Sequence, residues 1–213
     1  MRIKKESIIL FQGDSVTDCG RNKEDINSLG NGYPMMAAAF FGATYPELKV
    51  KFVNKGISGN RVKDLDARWK KDCIDIKPDV VSILIGINDC WRKFDDNDPT
   101  TAIEFKATYH KILTEIKEKL HAKIIICEPF LLPVKEEQKV LWREDLDPKI
   151  HVARELAREF EALYIPFDGV FAEASTKQTL GFWAADGVHP TLAGHALIAK
   201  TWLETVKQLT MDN

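Results

Sequence analysis

Four cysteines in 213 residues, at positions 19, 73, 90 and 127, show no paired spacing of the kind that zinc or dithiol chemistry uses. In a chain able to build a core without staples they are expected to stay reduced, which points to a cytoplasmic protein. Long apolar runs are also missing. The basic start, Met1 to Lys5, is followed by apolar residues only from Ile8 to Phe11 before Gln12 interrupts them, too few for a secretory signal or a membrane span. Charge of one sign is not concentrated anywhere: 30 Lys and Arg against 32 Asp and Glu leave a net charge of −2, and the two signs interleave, as in Glu115-Ile116-Lys117-Glu118-Lys119. No basic stripe for nucleic acid or an anionic membrane is present. The five histidines form no metal-binding spacing: His110, His121 and His151 fall on surface-patterned helices, and His195 lies six residues after His189, off one helical face. No metal or other cofactor is expected.

What is present is the composition of one ordinary globular domain spanning 1–213, with 45% apolar and 29% charged residues. Five short apolar runs recur, at Ile8 to Phe11, Val50 to Val53, Val80 to Ile85, Lys123 to Cys127 and Tyr164 to Phe167. Helical patterns lie between them. In Ala102 to Leu120 the residues Ile103, Ala107, Ile112, Leu113, Ile116 and Leu120 trace one face; Pro148 is expected to open a helix over Lys149 to Leu163, and Pro190 one running through Leu209. Strands alternating with helices imply a parallel sheet covered on both sides, hence a three-layer α/β/α sandwich on a five-stranded parallel sheet. The charged stretch from Pro133 to Asp147, which carries Leu141 and Trp142, is expected to be a lid or a subunit contact.

Four blocks carry chemistry. Gly13-Asp14-Ser15-Val16 places a serine where an apolar run breaks at a glycine, and Asp186-Gly187-Val188-His189-Pro190 places an aspartate three residues before a histidine that precedes a helix. A nucleophile, its base and the group that orients the base are thereby available. Asn54 to Asn60 and Gly86-Ile87-Asn88-Asp89 each follow an apolar run and so leave a strand at its carboxyl end, where loops of a parallel sheet gather in one crevice. Gly59 and Asn88 offer the backbone and amide N–H donors that a developing oxyanion requires. Asp14 and Asp89 are expected to orient loops, because a carboxylate facing Ser15 would oppose that charge. Trp91, Trp183 and, more weakly, Tyr33 are candidate site-rim aromatics for stacking on sugar rings. Taken singly, each feature has a local alternative: a cap, a turn, a positive-φ glycine, a core aromatic.

Taken in order, the four blocks resemble those of the SGNH hydrolases, the GDSL esterase and lipase superfamily, with Val16 where the family's first block has leucine. The resemblance implies a flavodoxin-like strand order, Ser15 as nucleophile, Asp186 and His189 as its partners, and an oxyanion hole made by the Ser15 N–H, Gly59 and Asn88. A narrower likeness, through Asp14 to Arg21, Asn54 to Asn60, Asp64-Leu65-Asp66-Ala67-Arg68-Trp69 and Gly86 to Arg92, is to the intracellular acetylxylan esterase branch. It implies a small ester substrate, an acetylated sugar such as an acetylated xylo-oligosaccharide, and a homo-oligomer. The same residues would also serve a lysophospholipase or thioesterase acting on acyl chains. A non-catalytic flavodoxin-like module holding an anion at the Gly13 to Ser15 loop is the reading from another class; it has no use for Asp186, His189 and Asn88 together.

Overall fold

A computed structural model describes residues 3–210; Met1 and Arg2, part of the basic start, lie outside the described residues. In chain order it runs β1 (Ile8–Gly13), α1 (Ser15–Asp18), α2 (Tyr33–Thr44), β2 (Lys51–Asn54), α3 (Val62–Asp72), β3 (Val80–Leu84), α4 (Ile87–Asp95), α5 (Ala102–Lys119), β4 (Lys123–Cys127), α6 (Arg143–Glu159), β5 (Leu163–Ile165), α7 (Phe167–Ala174), α8 (Leu180–Trp183) and α9 (Leu192–Val206). The strands form one parallel sheet in the order β2-β1-β3-β4-β5.

Successive strand side chains point to opposite faces, and the core divides accordingly. Ile9 and Phe11, Val80 and Leu84, Ile125 and Cys127 pack with α2, α7 and α9 on one side. Leu10, Val81, Ile83, Ile124 and Ile126 pack with α3, α5 and α6 on the other. A parallel sheet sandwiched in this way reads as short continuous apolar runs, which is why the strands are visible in the sequence. A third apolar cluster, Ile87, Cys90, Leu131, Trp142, Leu146, Ile150 and Val188, sits beyond the carboxyl ends of the strands, under the loops that carry the site.

The structure departs from several of these expectations. The last strand ends at Ile165, because Pro166 has no N–H to continue a ladder and Phe167 begins α7. On α5 the buried stripe is Phe105, Tyr109, Ile112, Leu113 and Ile116, while Ile103 is 82% exposed and Ala107 also faces out. Pro148 lies inside α6, which follows a π-helical turn over Gln138–Trp142. Burial of Leu146 and Ile150 on either side of the proline outweighs the one backbone hydrogen bond it removes. Of the histidines, His121 stands between α5 and β4 and not on a helix.

Candidate active site

Ser15 stands where β1 gives way to α1. Gly13 is needed there, since a Cβ at that position would lie 2.3 Å from the Leu84 carbonyl oxygen and 2.4 Å from Thr17 Oγ1. Asp14 caps the turn, accepting from Val16 N–H with its carboxylate (3.0 Å) and from Thr17 and Asp18 N–H with its carbonyl (3.2 and 2.8 Å). The Ser15 N–H is the one donor of this turn left without an acceptor among the described residues.

Ser15 Oγ lies 2.9 Å from His189 Nε2, and His189 Nδ1 lies 2.6 Å from Asp186 Oδ2. The carboxylate fixes the proton on Nδ1, so Nε2 presents its lone pair to the serine hydroxyl. The other Asp186 oxygen accepts from the N–H groups of Val188 (2.9 Å) and His189 (2.8 Å). Burial pushes the Asp186 carboxyl up, yet the hydrogen bonds from the His189 ring and the two backbone N–H groups outweigh it, and the group is held below the usual carboxylate range. It is therefore charged beside the imidazole at neutral pH.

The loop bearing this pair is clamped from below. Gln138 Nε2 donates to the Asp186 carbonyl (2.9 Å), Leu132 N–H donates to the Gly187 carbonyl (2.9 Å), and Gly187 takes φ +89° with the Leu132 carbonyl against it. Within this chain the stretch from Pro133 to Asp147 is thus packed against the site. Gln138 and Trp142 are buried, while Val140 and Leu141 are exposed.

The loop after β2 and the first turn of α4 bring the remaining donors alongside. Ile57 N–H donates to the Gly13 carbonyl (3.1 Å), Ser58 N–H and Oγ–H donate to the Asp18 carboxylate (both 3.0 Å), and Asn88 Nδ2 donates to the Asn60 carbonyl (3.1 Å). Gly59 takes φ +82°, and its N–H has no acceptor among the described residues. Asn88 keeps a second amide hydrogen beyond the one given to Asn60. One N–H on each of Ser15, Gly59 and Asn88 is in this way carried on interlocked loops and has no acceptor among the described residues.

Asp14 and Asp89 behave as orienting groups. Asp89 accepts from Val62 N–H with both oxygens (3.3 and 3.1 Å), tying α4 to α3. Burial pushes both carboxyls up to about 7, against the pull of their backbone hydrogen bonds. The shift lowers the charge that Asp14 carries next to Ser15 near neutral pH.

Among the rim aromatics, Trp91 packs its ring on His189 (centroids 5.7 Å apart) and on Trp142 (5.2 Å), so it walls the histidine. Trp183 anchors its indole N–H to the Ala174 carbonyl (3.2 Å) and packs on the core side of the sheet that holds α9. Tyr33 does not line the site: it is fully buried, its hydroxyl 3.1 Å from Thr17 Oγ1 and its ring edge-on to Phe11. Placed at the start of α2 beneath Ser15's turn, it is a core residue and cannot meet a sugar.

The sequence does not announce Gln138, nor Arg92, whose Nη2 is the one heavy atom near the open side of Gly59, 3.7 Å from where a Cβ would stand. Arg92 follows Asn88 by one helical turn, which is the signal that could have found it. His195 is buried, receives Tyr33 N–H at Nδ1 (3.2 Å), and faces Cys19 Sγ with Nε2 (3.4 Å); burial lowers it to about 4, and His189 adds to the effect. Burial pushes the Cys90 and Cys127 thiols up to about 12, so neither competes with Ser15 as a nucleophile. Among the described residues no three His, Cys, Asp or Glu side chains gather as a metal site, and no helix is long and apolar enough to cross a membrane.

A Ser-His-Asp chain of hydrogen bonds beyond the carboxyl ends of a β2-β1-β3-β4-β5 parallel sheet is the arrangement found in serine hydrolases of the three-layer α/β class. Residues 11–197 match the GDSL-like lipase/acylhydrolase family, and the chain belongs to that family. It is 37% identical over 214 residues to an acetylxylan esterase of Geobacillus stearothermophilus, covering 97% of this chain and 96% of that protein. The crystal structure of an acetylxylan esterase from that organism superposes with a TM-score of 0.90 at 35% identity over 100% of both chains. Catalytic mutants of it, with a serine, an aspartate or a histidine replaced by alanine, have been solved in the same fold. A GDSL-like lipase candidate from Parabacteroides merdae superposes with a TM-score of 0.92 at 37% identity, over 97% of this chain and 99% of that one.

Proposed function

We propose that this protein is a serine esterase that removes acetyl groups from carbohydrate, acetylated xylo-oligosaccharides in particular, through an acyl-enzyme. The observation that carries the chemistry is the alignment of Ser15 Oγ, His189 and Asp186 at 2.9 and 2.6 Å. In this reading Ser15 Oγ attacks the ester carbonyl while His189 Nε2 takes its proton, and the three N–H donors on Ser15, Gly59 and Asn88 receive the charge that moves onto the carbonyl oxygen. His189 returns the proton to the sugar hydroxyl as it leaves. Water, deprotonated by the same nitrogen, then releases acetate from Ser15. Asp186, charged throughout, holds the imidazole in the useful tautomer and stabilises the imidazolium.

The substrate part rests on similarity to the Geobacillus acetylxylan esterase over nearly the whole of both chains, and on Trp91, whose indole beside His189 suits a sugar face. Four free thiols accord with work in a reducing, cytoplasmic compartment. The test is kcat/KM across aryl acetate, butyrate and octanoate, followed by acetylated xylo-oligosaccharides. Acetyl esters are expected to be turned over fastest and the acetylated oligosaccharide to be deacetylated. An optimum at octanoyl would give the site to acyl chains instead.

A further inference from the structure

Arg68 lies on α3, with its side chain 14% exposed. Its guanidinium meets three separate segments. Nε donates to Asn60 Oδ1 (2.8 Å), on the loop next to Gly59. Nη1 donates to Gln12 Oε1 (3.1 Å), and Nη2 approaches the Gly13 carbonyl (3.4 Å), both at the end of the strand that delivers Ser15. Nη1 also pairs with Asp72 Oδ2 (3.1 Å), one turn along the same helix, and the Asp72 carbonyl receives Gln12 Nε2 (2.7 Å), which closes the network. Asn60 is the residue whose carbonyl receives the Asn88 amide.

We propose that Arg68 is a positioning residue for the oxyanion hole: it fixes the loop that carries Gly59 and steadies Asn88 at a set distance from the strand that carries Ser15. The inference rests on the esterase reading of the site. A planar guanidinium is required because its N–H directions are fixed relative to one another, so one rigid group sets the separation of Asn60 from Gln12 and Gly13. A lysine would keep the charge against Asp72 but could not hold both edges in one geometry. Packing alone does not account for this choice, since α3 already buries Val62, Leu65 and Trp69 against the sheet.

The experiment is a double-mutant cycle on kcat for an aryl acetate, with Tm measured on every variant. Arg68→Ala is expected to lower kcat roughly 10²-fold with a much smaller change in KM, the scale of an approximately 1 Å misplacement of catalytic groups. Arg68→Lys should recover little. In an Asn88→Ala background, where the donor being positioned is gone, Arg68→Ala should cost less than in the wild type, and the two effects should not add. If Arg68→Ala does not fold, Asn60→Ala decides: it removes only the Nε contact, leaves the Asn60 carbonyl, and should show the same non-additivity at smaller size. Equal factors in both backgrounds, losses that track Tm alone, or an unchanged kcat overturn the proposal. Wild-type protein without esterase activity would instead sink the functional reading, so the two failures are distinguishable.

Discussion

Replacing Asn88 by alanine separates a transition-state donor from a structural amide. The Asn88 side chain is 3% exposed, and its Nδ2 gives one hydrogen to the Asn60 carbonyl at 3.1 Å. That bond exists with or without substrate, so its loss acts on stability. It is worth about 1 kcal/mol net, which for a domain of this size lowers Tm by about 2–4 °C. In the proposed mechanism the second hydrogen is taken up when a carbonyl oxygen acquires charge. Loss of one such donor costs about 2.7–4 kcal/mol of the activation barrier, or roughly 10²- to 10³-fold in kcat. Steady-state hydrolysis of an aryl acetate should therefore show kcat falling by that factor with KM little changed, while thermal unfolding shows only the small Tm shift. Asn88→Asp, which preserves size but places a carboxylate where negative charge develops, should lose at least as much. A rise in KM at unchanged kcat would make Asn88 a substrate-binding residue, and a loss of kcat matched by a large fall in Tm would make it a structural one; either result refutes the assignment.

Asp89, pushed up to about 7 by burial, keeps its proton in the folded protein at pH values where the unfolded chain, titrating near 3.9, has lost it. Folded protein then binds more protons than unfolded, so this group's contribution to stability is full below about 3.9, falls as pH rises toward 7 and is lost above it. Asp89→Asn cannot titrate and still offers an oxygen to Val62 N–H, so its Tm should gain on the wild type as pH rises from about 4 to about 8; a constant difference would show that Asp89 is not the group described. Gly187 and Gly59 both have positive φ, but a Cβ at Gly187 would lie 2.3 Å from the Leu132 carbonyl oxygen, whereas at Gly59 nothing lies closer than Arg92 Nη2 at 3.7 Å. Gly59→Ala should cost about 1–2 kcal/mol from backbone strain and Gly187→Ala more, with a lower Tm and a disturbed Asp186–His189 pair; equal Tm losses would contradict the clamp on that loop.

The sheet and the four chemical blocks were legible because each has a local signature. A strand buried on both faces is a short apolar run, and a catalytic loop beyond its end begins where the run breaks, as at Gly13 and Gly86. An aromatic near a catalytic block in sequence, such as Tyr33, carries no mark of which way its ring points; packing on Phe11 decides that. Helical spacing does not separate Ile103 and Ala107 from the buried stripe of α5, because an apolar residue on a surface helix costs little, and only tertiary contacts select Phe105 and Tyr109. Gln138 and the bridging role of Arg68 are invisible locally, since the contacts that define them, to Asp186 and to Gln12, span 48 and 56 residues. Asp14 and Asp89 were legible as orienting groups by a charge argument, and their burial supplies the physical basis.

Every step of the proposed reaction depends on Ser15 being a nucleophile that His189 activates. Brief treatment with a fluorophosphonate, followed by peptide mass mapping of the wild type, Ser15→Ala and His189→Ala, tests it most directly. A single phosphonylated serine, Ser15, is expected in the wild type, none in Ser15→Ala and greatly slowed labelling in His189→Ala. A folded, ester-hydrolysing wild type whose Ser15 peptide stays unmodified, or whose label lies on another residue, would contradict it.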